Sequence, residues 1–320
     1  MIQPKPNSEY SNGQILAIGA FTISILLLGI AVNLNTALHT NYSAIESIDA
    51  TEESINSYLT EHNLIVKSHH KQLATDTGLS YTELNTQYQS MHNKTTTSIA
   101  KQYLTKGITV SSTYESSENG FMLYQLEQNN ITSRTGASDW QFVDSVDEYN
   151  KFKFVADIES LTGTSNPNES NTFHIEVSDS GTVEHRIYFY KNSSGEGVIE
   201  TKDNSGSSQY ICTFTNVDNS MIDLYAETVN SNGCAGLSVI ETGNTLQIQN
   251  GNILQGKYIF KGKGTLSNNI NTTNYYSDSS DEYPQQSRIL YSTTSEIIYQ
   301  NGESEITQSR TVTTGDIYDI

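Results

Sequence analysis

The chain of 320 residues sets 36 acidic side chains against 17 basic ones, for a formal charge of −19. A phosphate-binding surface needs clustered Lys and Arg, so this composition excludes nucleic acid as a partner. Acidity alone would suggest disorder, but 20 Tyr and 9 Phe, many in strand-like runs, indicate a folded domain with an acidic surface. Such a surface keeps a protein soluble by self-repulsion and suits concentrated salt, which screens charge over about 3 Å at 1 M.

In chain order, residues 1–13 form a short N-terminal segment carrying Lys5 and Glu9, which cancel. From Gln14 to Leu34 there is no charge, and twelve large aliphatic or aromatic residues lie between Ile15 and Leu34. A helix of that length matches a bilayer core of about 30 Å, and the sum of apolar residues outweighs Thr22 and Ser24. The expectation is a transmembrane helix over 14–36, with the lipid bilayer as partner. A cleaved secretory signal is the competing reading, but the run is long, the leading segment holds only Lys5 as a basic residue, and the exit is a poor A-x-A match. Glu46, Asp49, Glu52 and Glu53 follow the span before any basic residue, which orients the N-terminus toward the cytoplasm.

Residues 37–106 read as an extracellular helical stalk. Ile45, Ile48, Ile55, Tyr58, Leu59 and His62 recur at three- and four-residue steps, and Lys67 to Gly78 breaks the pattern. A second helix opens at Ser80, with Glu83 completing a capping box, and carries a stripe of Leu84, Tyr88, Met91 and Ile99 to Leu104. Gly107 supplies a stop. Two such helices suggest a hairpin.

Over 107–320 the texture changes to short β-branched and aromatic runs between Gly, Asn, Asp and Ser clusters. Predicted strands are 108–114, 121–126, 151–158, 172–177, 185–190, 197–201, 210–215, 221–225, 237–241, 245–249, 256–261, 287–298 and 305–313. Their closeness predicts an antiparallel β-sandwich ectodomain. Phe152, Phe154, Ala156 and Ile158 alternate with more polar neighbours, as one buried and one wetter face would. The only cysteines are Cys212 and Cys234; outside the cell they would form one disulfide, and in a reducing compartment two separate core thiols. The overall class is therefore α+β: transmembrane helix, helical hairpin stalk, then sandwich.

Asn12-Gly13-Gln14 ahead of the apolar span, with Asn33-Leu34-Asn35-Thr36-Ala37-Leu38-His39-Thr40 at its exit, resembles the start of haloarchaeal pilin-like single-pass surface proteins of unknown function. The likeness extends to the segment from Thr228 to Cys234 and to the strand from Leu290 to Tyr299. It implies a peptidase cut between Gly13 and Gln14 and lateral association with other pilin-like subunits. The chain departs from the pattern with Ser11 and Asn12 where a basic residue is usual, and Ile18 where many pilins carry Glu.

Six N-x-[S/T] sequons, at Asn41, Asn93, Asn130, Asn168, Asn192 and Asn271, all follow the span, although a chain rich in Asn, Ser and Thr produces such triplets by chance. Ser98–Lys101 and Ser68–Lys71 spell S-x-x-K without the S-D-N or K-T-G that a penicillin-recognising enzyme needs. His62, His69 and His70 could approach a metal, since residues seven apart share a helix face, but their spacing is not H-E-x-x-H, and they read as solvated. Asp278 with Asp281 and Glu282, and Asp144 with Asp147 and Glu148, could hold a hard cation but lack the EF-hand arrangement. Lys261-Gly262-Lys263-Gly264-Thr265 is not a P-loop. No nucleophile, base and orienting group stand in a recognisable frame, so the expectation is no enzyme, no metal and no cofactor. Two functional readings remain: a membrane-anchored structural or adhesive surface protein, and a tethered binding protein that captures a cation, glycan or solute through sandwich-end loops. The first predicts packing along the stalk helices and no deep polar cleft; the second predicts a concave, polar loop cluster.

Overall fold

The computed structural model describes residues 54–74, 78–215, 219–277, 280–302 and 304–315. The expected span 14–36, the Gly13–Gln14 cut and Asn41 lie outside the described residues. The chain divides into Met1–Glu61 and His62–Ile320. Of the first unit only the helical residues 54–61 are described, and both sheets belong to the second.

Among the described residues 46% lie in strands and 22% in helices, which makes the fold predominantly β and corrects the expected α+β class. No described helix is long and apolar enough to cross a membrane. Helix α1 (54–74) and helix α2 (Tyr81–Leu104) form the expected hairpin, and Ser80 and Glu83 make the expected reciprocal capping box. The hairpin is not a free-standing stalk. Val66 and Leu73 of α1 and Leu84 and Tyr88 of α2 are buried in one apolar cluster with Leu290 and Val312 of the strands below. Nor does the helix break at Lys67, because residues 67–74 stay helical with His69, His70 and Leu73 buried. This polar stretch has the composition of a solvated linker, but its histidines face protein. Past α2, Gly107 adopts φ +77 and its amide bonds Leu104 O, ending the helix where expected.

The strands are β1 (Ile108–Asn130), β2 (Trp140–Val143), β3 (Tyr149–Ala156), β4 (His174–Asp179), β5 (Thr182–Lys191), β6 (Gly197–Asp203), β7 (Ser208–Phe214), β8 (Ser220–Asp223), β9 (Thr228–Val229), β10 (Asn232–Gly233), β11 (Thr245–Gln249), β12 (Gln255–Lys263), β13 (Tyr276–Ser277), β14 (Gln285–Asn301) and β15 (Ser304–Thr313). A short helix α3 (Leu266–Asn269) follows β12. Sheet A runs β10-β9-β8-β3-β12-β1-β14-β13, with β15 also on β14; sheet B runs β2-β11-β4-β5-β6-β7. Among the named strands every pairing is antiparallel except that of β13 with β14.

The two sheets face each other across one core. Phe121, Phe152, Phe154, Tyr258 and Phe260 of sheet A meet Phe142, Ile175, Val177, Ile187, Phe189 and Ile248 of sheet B. Phe142 stacks on Phe152 at 5.4 Å between centroids and meets the edges of Tyr258 and Phe260. In β3 the buried residues Phe152, Phe154 and Ala156 alternate with half-buried Lys153 and Val155, the period-two pattern of a sandwich strand.

Three strand expectations need correction. The runs 108–114 and 121–126 are one strand, because register shifts at Tyr114/Ser116 and Glu118/Asn119 carry the intervening polar stretch along β14 without a turn. Residues 237–241 are not a strand; Leu237 and Ile240 plug the core without a ladder partner. Strands β2, β9, β10 and β13 are absent from the expected set because two to four residues give too little alternation to read.

Candidate functional site

Cys212 of β7 and Cys234, just after β10, are bridged. Of the described sequons, Asn93, Asn130, Asn168 and Asn271 are exposed. Asn192 is half-buried in the β5–β6 turn, and its amide donates to Glu196 at 2.8 Å. Ser98 and Lys101 are both exposed on α2, and the Ser98 hydroxyl donates to Lys94 O, so the S-x-x-K frames no cleft. Among the described residues no three His, Cys, Asp or Glu side chains are grouped to hold a metal; Asp278 lies outside them.

The expected solvation of the hairpin histidines is wrong: His62, His69 and His70 are buried, and so is His92. The helix period that put His62 and His69 on one face was legible, but that this face meets a sheet was not.

A concave surface with both charge and aromatic character opens on the outer face of sheet B. A space of about 440 Å³ is lined by Pro167–Ser170, Arg186, Tyr188, Lys202 and the turn Asn204–Gly206. Alternation on β5 and pairing of Arg186 with Lys202 put these side chains on one face. Arg186 donates through Nε to Glu176 at 2.9 Å and reaches Glu169 at 3.2 Å. Lys202 donates to Pro167 O at 3.0 Å while its ammonium sits 5.1 Å from the Tyr188 ring centroid. These two cations strap the 167–170 loop over the strands, so the wall of the concavity is held by charge-assisted bonds. Behind it, buried His174 stacks on Tyr188 at 4.8 Å and donates from Nδ1 to Thr172 O at 2.8 Å.

The electrostatics favour fixed charges over proton transfer. His174, whose Nε2 lies 3.8 Å away, and then the Arg186 guanidinium hold the Glu176 carboxyl below its ordinary value against the effect of burial. Burial pushes the Tyr188 phenol up to about 12. One group stays charged and the other stays protonated across the physiological range, so neither is tuned as an acid or base near neutrality.

A second concavity, about 460 Å³, is lined by Gln125, Gln128, Asn129, Asn130, Thr132, Gln255 and Tyr283. No lining side chain carries a charge, in contrast with the acidic chain as a whole. Buried Gln125 donates to Asn129 O at 3.0 Å and Gly256 O at 2.9 Å across the register shift in β1.

No family model, curated protein or solved structure matches the chain.

No motif in the sequence marks Arg186, Lys202 and Tyr188 as a group. They come together through strand register and a loop that folds back, neither of which leaves a local signature; Arg186 and Lys202 on consecutive strands, in a chain with few Lys and Arg, were the available signal.

Proposed function

We propose that this is a non-catalytic surface domain that works by adhesion, capturing a hydroxyl-rich ligand such as a glycan in the concavity on sheet B. The observation that carries the reading is the strapped loop 167–170 over Arg186, Tyr188 and Lys202. It offers amides, hydroxyls and opposite charges at close quarters, the mixed donor and acceptor set that sugar hydroxyls need, and its charges are already paired, so a neutral ligand adds no new desolvated ion. The shallow polar form is what a binding protein with loop-built recognition predicts.

Export to the cell surface is the setting of this reading. The uncharged run from Gln14 to Leu34 supports attachment to the cell membrane with the described domain outside, and the Cys212–Cys234 bridge suits an oxidising exterior. A pilin-like subunit that assembles laterally is the second reading, favoured by Gly13-Gln14 ahead of that run. It has less support, since the hairpin faces that would pack between subunits already pack on sheet A.

The test is a glycan array probed with the purified chain and with Asn204→Trp, which fills the concavity without touching the buried pairs. Binding of a saccharide class that Asn204→Trp abolishes supports the reading. Absence of binding across neutral and acidic glycans by a folded protein removes it. Protease added to intact cells carrying a C-terminal tag, with N-terminal sequencing of the mature chain, tests the setting: a tag that survives refutes surface display, and a start at Gln14 favours the pilin-like alternative.

A further inference from the structure

Four of the seven histidines lie in the layer between the hairpin and sheet A, with exposures of 1% for His62, 7% for His69, 3% for His70 and 0% for His92. Each Nε2 meets a hydroxyl. His62 and His92 both reach Ser112 Oγ, at 2.8 and 3.1 Å; His69 meets Thr95 at 3.1 Å and His70 meets Thr293 at 3.0 Å. Thr293 in turn donates to the Tyr88 phenol, and the Tyr88 ring stacks on His92 and lies near His69 and His70.

This arrangement suits neutral rings. Ser112 has one hydrogen, which it can donate to one imidazole while accepting from the other, so two complementary neutral tautomers share it. If both rings were charged, both would donate to Ser112, leaving two cations with centroids 5.6 Å apart. A proton added at Nδ1 of His69 or His92 would find no acceptor there. The gap beside His70, lined by Leu73, Ala74, Leu84, Ile289, Leu290 and Thr314, is about 10 Å³, at the lower limit for a single water.

The surrounding charges do not help. Arg310 of β15 bears on His62, and Lys261 of β12 bears on His70. From α2 the titratable groups in the layer are His92 and Tyr88, from β1 Tyr114, and from β14 the uncharged Thr293. The carboxylates of these strands are occupied elsewhere: Glu115 accepts from Ser309, Glu118 pairs with Lys263 and accepts from Ser292, and Glu296 and Glu305 alternate onto the opposite face.

From this geometry we infer that the hairpin is a proton-operated cover: charging the histidine layer lifts residues 62–74 of α1 and the His92 half of α2 from sheet A and uncovers the apolar strip of Tyr88, Leu290 and Val312. The depressed proton affinity of His62 and His92, each to about 4, and of His70, to about 3, agrees, with burial the main cause in each. The cover is closed above the ordinary histidine range and opens as pH falls through it toward those values. The start of α2 has uncharged attachments that do not titrate there: Tyr81 Oη accepts from Leu266 N at 3.1 Å, and Asn85 accepts from Tyr114 at 2.6 Å. The opening is thus a local event with the sandwich intact.

Hydrogen exchange of the full chain, corrected for intrinsic rates, tests this at about pH 7 and about pH 4.5. Amides of 62–74 and of the His92 half of α2 should lose protection by roughly tenfold or more at the lower pH, while β4, β5 and β6 keep theirs. The combined His62→Gln, His69→Gln, His70→Gln, His92→Gln variant, neutral at both values, should keep hairpin protection. Wild-type protection unchanged at the lower pH overturns the proposal, and so does a folded variant that opens as the wild type does. Where the variant fails to fold, NMR titration of the wild-type imidazoles decides. Rings that take up protons together with the loss of hairpin protection support the cover, and rings that titrate near 6.5 with the hairpin still protected overturn it.

Discussion

Reduction of the Cys212–Cys234 bridge perturbs one bond that joins the free edge of sheet B to the far end of sheet A. Cys212 sits on β7, the last strand of sheet B, and Cys234 follows β10, the last strand of sheet A. Strand β7 is otherwise thinly held: Ser208–Ile211 and Thr213 are exposed, and only Cys212 and Phe214 pack against the core. The sequence separation of 22 puts the loop-closure contribution at about 3 kcal/mol. With a urea slope of about 3 kcal/mol per molar, that is a fall of about 1 M in the unfolding midpoint. A space of about 420 Å³ bordered by both cysteines gives a reductant access. The assay is urea unfolding followed by Trp140 fluorescence, with and without dithiothreitol. The Cys212→Ser, Cys234→Ala double variant separates the crosslink from the small cavity left at buried Cys234. A midpoint that moves by less than about 0.2 M would refute the reasoning, since β6–β7 pairing would then hold the edge alone.

Other perturbations probe the rest of the molecule. Lowering pH from about 7 to about 5 should cost up to about 2 kcal/mol for each of His62, His70 and His92, because the unfolded chain takes up protons there and the closed hairpin does not; urea midpoints across that range check it, and a flat profile contradicts it. Carboxylates held low by partners, such as Glu118 beside Lys263, lose their contribution only at lower pH, which keeps the two effects apart. Phe142→Ala should cost about 3–5 kcal/mol by opening the centre of the aromatic core, measured by thermal or urea unfolding. Gly251→Ala should cost about 1–3 kcal/mol, since an added Cβ would lie 1.9 Å from Ile131 O, backbone that can yield only by moving β1's exit; calorimetry checks it. Glycopeptide mass spectrometry of the exported protein should find sugar at exposed Asn271 and none at Asn192, whose amide is tied to Glu196; sugar at Asn192 would contradict this.

Local signals in the sequence were sufficient wherever a few adjacent residues decide the outcome. The Ser80–Glu83 cap, the stop at Gly107 and the alternation of Phe152, Phe154 and Ala156 are short-range chemistry and stand in the structure as expected. So does the sandwich, because thirteen short apolar runs with polar breaks leave few other ways to bury two sheet faces. What composition could not reveal is which polar residues end up inside. His62, His69, His70 and His92 carry polar rings that composition assigns to water, yet Ser112, Thr95 and Thr293 bring hydroxyls to them from distant segments, and those partners offset the loss of solvent. The Arg186–Lys202 concavity has the same origin, in strand register and a returning loop. Burial of a polar group depends on partners far along the chain, and the tertiary structure alone chooses them.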